Sequence, residues 1–396
     1  MGSVVSSSTK SSISSVVSKI TSKIIFNNSS NAPTPIYKAG VASLLANTSH
    51  LRILNIGNST TFGANGTGAQ TKPNEYKQAA ASMAAFVTRA NDDSFFGFST
   101  GGGQNGSRLL ADDRIVNSGA VLSSTGCLGG IACRIATAGN SFTFTPNSVC
   151  NTFRVYWWYN GSVAVSIQAT GGTAFATTLT SGSGTQFGTT DIRYTEVTAA
   201  SLTAGNAVTV SKTGGAGNFE VIGIEAWDST TKRMVFTNAG HWGSTSTQWA
   251  QSSGAGRLPS DFLSKMPAGY YQLAIIKAGI NDCGPPPTQN IPVATFKANI
   301  QTVINACKAS GLDVILETDN PAYAAGDYLM GPYIAALKEL AASNNLNLVN
   351  SYENVFINYT NANAKGWMID GLHPSVSGYA QMAVPLVSLL KTQGGL

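Results

Sequence analysis

The stretch LRILNIGNSTT (residues 51–61) decides how the chain folds. It opens as a short apolar run ending in Gly57 and Asn58, and is followed by KPNEYKQAAASMAAFVTRA (residues 72–90), whose pattern predicts a helix beginning near Pro73. That is a strand, a loop and a helix. The same grammar returns late in the chain, where RMVFTNAG (233–240), YQLAIIKAG (271–279), LDVILETDN (312–320) and LNLVNSYEN (346–354) read as strands. Helices are expected near 293–309, 328–343 and 377–392. Strands alternating with helices predict an α/β fold with a parallel sheet covered on both faces, and ligands then sit at the carboxyl ends of the strands.

Between these halves, residues 139–228 have another texture. SFTFTP, TFRVYWWYNGSVAVSIQA, AVTVSK and FEVIGIEAW are short alternating segments separated by Gly, Thr and Ser, with almost no helix signal. They predict an inserted antiparallel β-sandwich. Its Tyr156, Trp157, Trp158 and Tyr159 read as core, with at most half able to share one surface, because neighbours on a strand point to opposite faces. The expected organisation is a leader at 1–45, an α/β domain at 46–138 and 229–396, and the insert at 139–228. In the Ser-rich leader, Ile13, Val16, Val17, Ile20 and Ile24 fit one helical face, so a flexible leader and an oligomerising stem both stay open.

The chain has 396 residues, more than one hydrophobic core usually organises, which suits two domains or one domain with an insertion. Charged residues are 11% against 43% hydrophobic, which excludes a coiled coil and a charge-rich disordered chain. The net charge of +5 is local: Lys10, Lys19, Lys23, Lys38, Arg52 and Lys72 all precede the first acidic residue, Glu75. No broad basic surface remains to hold a nucleic-acid backbone, so no nucleic-acid partner is expected. No apolar run approaches the ~18 residues that cross a bilayer, and no membrane partner is expected. The N-terminus lacks the charged start and continuous apolar core of a secretory signal. The five cysteines (Cys127, Cys133, Cys150, Cys283, Cys307) show no CxxC spacing, so no metal site is expected. Either one pair among the first three is a disulfide or all are buried thiols.

The chain has three histidines, His50, His241 and His373. His373 lies in Asp370-Gly371-Leu372-His373-Pro374, just before the last predicted helix. A carboxylate three residues ahead can bind one ring nitrogen and leave the other to take a proton. Ser59, just past the first strand, is the candidate nucleophile. Two more motifs follow strands: Asn238-Ala239-Gly240-His241-Trp242-Gly243 and Gly279-Ile280-Asn281-Asp282. Four motifs on the ligand-binding edge of one sheet can converge on one pocket, and the assembly is more specific than any member.

In that order the motifs resemble the SGNH hydrolases, the GDSL-type lipases and esterases. The resemblance covers residues 50–110 and 230–392 and implies the three-layer α/β/α fold of that family, interrupted here by a sandwich similar to carbohydrate-binding modules. It implies Ser59 as nucleophile, His373 and Asp370 as its triad partners, and the Ser59 and Gly243 N–H groups with the Asn281 amide as oxyanion donors. No cofactor is implied. Asn58 stands where the family has Asp; the amide keeps a hydrogen bond but not the charge, and activity is expected to survive. Asn58-Ser59-Thr60 also matches a glycosylation acceptor, which weighs against a eukaryotic secretory origin. Asn58, His241 and Trp242 are further candidates for substrate contact, though for His241 a structural role beside Trp242 reads equally well.

The implied reaction is ester hydrolysis through an acyl-enzyme. The aromatic insert, with no long apolar segment to serve as a lipid lid, directs the expectation to a carbohydrate O-acetylesterase acting on acetylated polysaccharide. Low charge and abundant Gly, Ser, Thr and Asn resemble bacteriophage tail fibres and tailspikes, which puts the expected location on a virion tail or outside the cell, with a trimer in the first case. Alternatives are a secreted bacterial carbohydrate esterase, a lipase-like GDSL esterase, and a non-catalytic glycan-binding adhesin.

Overall fold

The run that opened the argument is a strand, β1 (Leu51–Gly57), buried at every position. In the computed structural model, which describes residues 32–63, 74–87, 90–98, 109, 112–180, 192–251, 259–284, 290–323 and 330–396, it is preceded by helix α1 (Pro35–Leu45). The chain continues through a one-turn helix α2 (Ser59–Phe62), α3 (Glu75–Met83) and β2 (Ala90–Phe96). Among the described residues ten strands then follow: β3 (Ile115–Ser118), β4 (Val121–Cys127), β5 (Gly130–Ile135), β6 (Ser141–Phe144), β7 (Thr152–Asn160), β8 (Val163–Ala169), β9 (Phe175–Leu179), β10 (Arg193–Thr198), β11 (Val208–Gly214) and β12 (Asn218–Trp227). The α/β grammar resumes with β13 (Met234–Gly240), α4 (Ser246–Ala250), α5 (Pro259–Leu263), β14 (Leu273–Ala278), α6 (Val293–Ala309), β15 (Asp313–Thr318), α7 (Met330–Asn344) and β16 (Asn347–Val349). A π-turn (Tyr352–Phe356), α8 (Tyr359–Ala364) and α9 (Val376–Gly394) complete it.

The five α/β strands read from the sequence are β1, β13, β14, β15 and β16. They pair in parallel, with β1 between β13 and β14, so that Gly57 lies beside Gly240. Helices α1, α3 and α9 cover one face through Tyr37, Val41, Tyr76, Met83, Leu386 and Leu390, and α6 and α7 cover the other through Phe296, Ile300, Ile334 and Leu337. This is the α/β/α layering expected. No helix among the described residues is long and apolar enough to cross a membrane.

Two boundaries differ from expectation. The leader was expected to reach residue 45, yet α1 belongs to the core. Tyr37 is fully buried with its hydroxyl donated to the Leu390 carbonyl (3.2 Å), and its N–H is received by Asp313 (2.8 Å). Helix α1 buries Tyr37, Val41 and Leu44 in the α/β core, which marks it as a core helix and not a leader. The proposed stem face at residues 13–24 lies outside the described residues.

The β-region begins at Ile115, not at residue 139, and it is not set apart from the parallel sheet. β13 pairs in parallel with β2, β2 pairs antiparallel with β12, and β12 continues to β7 and β10 in one 11-stranded sheet. A second sheet, β3-β6-β11-β8-β9, packs on that extension through Phe142, Phe144, Val165, Val210, Trp157 and Val221. The sandwich therefore shares one of its sheets with the α/β part. β2 is the bridge that the sequence concealed, because Asn91, Asp93 and Ser94 are buried polar residues in a strand too polar for an apolar-run criterion. Asp93 is satisfied by the N–H groups of Asn147 and Ser148.

The aromatic run on β7 is core on both faces. Tyr156 and Trp158 pack into the cluster shared with α6 and α7, while Trp157 packs into the sandwich. The five cysteines are all buried and free, so no disulfide forms among them. Because β12 draws its partners from β2 as well as from β5 and β7, residues 139–228 expressed alone should not fold. Well-dispersed amide resonances from that fragment would contradict this.

Candidate active site

The site forms where the carboxyl ends of β1, β13 and β14 come side by side. Asn58 caps the turn after β1: its Oδ1 accepts the Thr60 N–H (3.0 Å), which places Ser59 at the first position of α2. The approach of β13 to this turn leaves no space for a side chain at Gly240, where a Cβ would lie 2.3 Å from the Phe62 nitrogen. The next N–H, of His241, donates to the Gly57 carbonyl (2.8 Å).

His373 arrives from the far end of the chain. Its Nε2 lies 3.1 Å from Ser59 Oγ and its Nδ1 lies 3.0 Å from Asp370 Oδ2. The other oxygen of Asp370 accepts the N–H groups of Leu372 (2.7 Å) and His373 (2.6 Å), so the loop that carries both groups is closed on its own carboxylate. Burial pushes the Asp370 carboxyl up, but the bonds and charge of His373 and the Leu372 N–H outweigh it and hold the group below the ordinary carboxylate range. An ionised Asp370 on Nδ1 keeps the proton there and leaves Nε2 with its lone pair toward the Ser59 hydroxyl.

The glycine motif and the Asn-Asp motif meet beside this pair. Gly243 adopts a left-handed backbone (φ 68°), which turns the chain out of β13. Trp242, just before it, sets its half-buried ring 4.8 Å from the His373 ring. Asn281 donates one amide hydrogen to the Ser244 carbonyl (3.0 Å), which holds it against the same loop, and Ser244 Oγ is fixed by Trp249 Nε1 (3.0 Å). Asp282 accepts the Ser246 N–H (2.8 Å).

Ser59, His373, Asp370 and Asn281 are thus brought together, with Gly243 in the adjoining loop. The three residues expected to touch substrate divide differently. Trp242 has surface to offer. His241 is buried, and Asn58 is 2% exposed with both ends of its amide engaged, so both are framework rather than contact surface. His50 stands apart: burial first, then Arg52, Lys232 and Arg233, lower it to about 3, and its Nδ1 accepts the Arg233 N–H.

Asp319 was missed. It follows β15, is fully buried, and takes Asn58 Nδ2 (2.8 Å) and Thr60 Oγ1 (2.9 Å). The available signal was its place at the carboxyl end of the predicted strand 312–320, the edge where ligands sit. No cluster of metal-ligating side chains occurs among the described residues.

Residues 200–381 match the model of the GDSL-like lipase/acylhydrolase family. That match and the fold support a GDSL-type SGNH hydrolase. The chain is accordingly an ester-hydrolysing enzyme. No curated protein matches it in sequence. Among solved structures, a peptidoglycan O-acetylesterase shares the fold at 14% identity, with 90% of this chain and 95% of that chain covered and a TM-score of 0.64. A family 2 carbohydrate esterase with its carbohydrate-binding domain, from Corynascus thermopiles (Myceliophthora fergusii), aligns at 13% identity over 71% of this chain and 100% of that one, with a TM-score of 0.30. A carbohydrate acetylesterase family member from Sinorhizobium meliloti aligns at 14% identity over 41% and 81%, with a TM-score of 0.32.

Within this SGNH hydrolase, Asp282 gives a pH-dependent stability. Burial raises its carboxyl to about 7, against the bonds from Ser246 and with the help of the Asp319 charge. The folded state therefore binds this proton more tightly than the unfolded chain does. The resulting stabilisation is complete below about pH 4 and is lost as pH rises through about 7. Asp282→Asn keeps an acceptor for Ser246 but cannot ionise. Its stability relative to wild type should rise by roughly 2–4 kcal/mol between pH 4 and 8. Urea unfolding of both proteins across that range checks this, and a constant difference would contradict it.

Proposed function

We propose that the protein is a serine esterase that removes O-acetyl groups from a bacterial surface polysaccharide, with Ser59 as nucleophile, His373 as general base and acid, and Asp370 as its orienting carboxylate. The observation that carries the reading is the 3.1 Å separation of His373 Nε2 from Ser59 Oγ, with Asp370 on the other ring nitrogen. His373 takes the hydroxyl proton as Ser59 attacks the acetyl carbonyl, and Asp370 stabilises the imidazolium. The negative oxygen is received by the N–H groups of Ser59 and Gly243 and the second amide hydrogen of Asn281. The proton then passes from His373 to the departing sugar hydroxyl, and a water activated by the same imidazole releases acetate. One oxyanion donor is worth about a hundred- to a thousand-fold in rate.

Aromatic surface around the triad supports a sugar substrate. Tyr323 is 56% exposed and stacks on Tyr359 with ring centroids 5.5 Å apart. The Tyr323 N–H donates to the Gly371 carbonyl (2.6 Å), inside the Asp370–His373 loop, so the pair stands beside the triad. With Trp242 it offers flat apolar faces of the kind on which sugar rings stack. The fold similarity to a peptidoglycan O-acetylesterase fits an acetylated glycan. The low charge of the chain, 11% of residues, fits a virion tail or extracellular setting, which is part of the same proposal.

Ser59→Ala should reduce p-nitrophenyl acetate turnover by at least about a thousandfold while leaving the fold intact. Wild-type rates in that variant would remove the mechanism. Acetate release from acetylated polysaccharide should exceed hydrolysis of long-chain esters, and the reverse preference would reject the substrate class. Tyr323→Ala should raise KM for polysaccharide about tenfold more than for p-nitrophenyl acetate, the equivalent of one ~1.4 kcal/mol stacking contact. Equal effects on the two substrates would remove Tyr323 from the glycan surface.

A further inference from the structure

Asp319 occupies a position that the reaction as described does not use. It is the first residue beyond β15 and has no exposed surface. One of its oxygens, Oδ2, accepts both Asn58 Nδ2 (2.8 Å) and the Ile280 N–H (3.0 Å). Asn58 immediately precedes Ser59, and Ile280 immediately precedes Asn281. The other oxygen, Oδ1, meets Thr60 Oγ1 at 2.9 Å. The segment continues into the third part of the site: Asn320 Nδ2 donates to the Leu372 carbonyl (2.8 Å), next to His373.

We propose that Asp319 is a positioning residue for ester hydrolysis, its Oδ2 fixing the spacing between Ser59 and the Asn281 amide by accepting from both turns. The inference rests on the reading of Ser59 as nucleophile and Asn281 as oxyanion donor. The physical reason is that both turns end on buried N–H donors, and a buried donor left without an acceptor is destabilising. One oxygen that satisfies both leaves them little freedom to drift apart, and a shift of about 1 Å in such a pair costs on the order of a hundredfold in rate. Burial pushes the Asp319 carboxyl up, while Lys277 and the donated bonds oppose that rise. The geometry requires only an acceptor at Oδ2, which a neutral side chain can also provide.

The variants separate positioning from folding. Asp319→Ala should lower kcat on p-nitrophenyl acetate about a hundredfold, normalised to titrated active sites, with KM moved less than about threefold. Asp319→Asn should recover most of that loss, because its amide oxygen can accept from Asn58 and Ile280 while its NH2 donates to Thr60 Oγ1. Asn58→Asp sets a second carboxylate at 2.8 Å from the first and should also be impaired. Combining Asn58→Asp with Asp319→Asn should restore at least about tenfold over Asn58→Asp alone. The proposal is overturned if folded Asp319→Ala keeps kcat within about threefold of wild type, or if the double variant is no better than Asn58→Asp. Should Asp319→Ala not fold, the Asn58 pair decides. Full activity in Ser59→Ala would instead refute the nucleophile reading, whatever the Asp319 variants do.

Discussion

Parallel pairing of β1 with both β13 and β14 is the constraint on which the rest depends. It brings together Gly57, Gly240 and Ala278, residues far apart in the chain, and ends all three strands at one edge. Each strand then delivers its next few residues into the same space: Ser59 from the first, Trp242 and Gly243 from the second, Asn281 from the third. Because a parallel strand cannot turn back directly, every return crosses a face of the sheet, and the covering helices follow from that crossing. The long β-region is a return of the same kind that has been enlarged, and it leaves the β1–β13 register untouched.

A buried charge cluster anchors α3 across this sheet. Lys277 on β14 pairs with Glu75 at the start of α3 and lies 3.6 Å from Glu317 on β15, and all three side chains are fully buried. The Tyr76 hydroxyl adds a bond to Glu317 (3.1 Å). Burial, then the neighbouring Glu75 charge, raises the Glu317 carboxyl against the pull of Lys277. Such a cluster is weak evidence of stability as a whole, since desolvation offsets attraction, but removal of one partner strands a charge in the core. Its influence reaches the site through Lys277, whose charge also acts on Asp319. The carboxyl edge thus combines apolar layers with buried polar groups, and the hydrogen bonds of Asn58, Asp319 and Asn320 tie its loops to one another.

Legibility in the sequence tracked local physics. The apolar runs of β1, β13, β14, β15 and β16, and the helices α6, α7 and α9, announced themselves because burial on one or both faces imposes a period. β2 did not, because Asn91, Asp93 and Ser94 are polar yet buried, and the partners of Asp93 and Ser94 are the remote N–H groups of Asn147, Ser148 and Ala226. The leader boundary was misplaced for a related reason: α1 is short, and only its contact with α9 and Asp313 distinguishes it from the serine-rich stretch before it. At the carboxyl edge, the meeting of Ser59, His373 and Asp370 could be expected because strand ends and a DxxH spacing are local patterns. Asn58 and His241 could not be told from substrate contacts, since burial is not written in a motif.

By itself the sequence determined the α/β class, the strand ends on which the candidate residues sit, and the residue types able to perform acyl transfer, because hydrophobic periodicity and side-chain chemistry are properties of neighbours in the chain. Tertiary structure decided that the sandwich shares a sheet with the hydrolase, that the aromatic run on β7 is core on both faces, and that Asp319 stands behind Asn58. Those outcomes depend on which distant groups meet in a water-poor interior, where an unanswered donor is costly and a shared acceptor is selected by geometry.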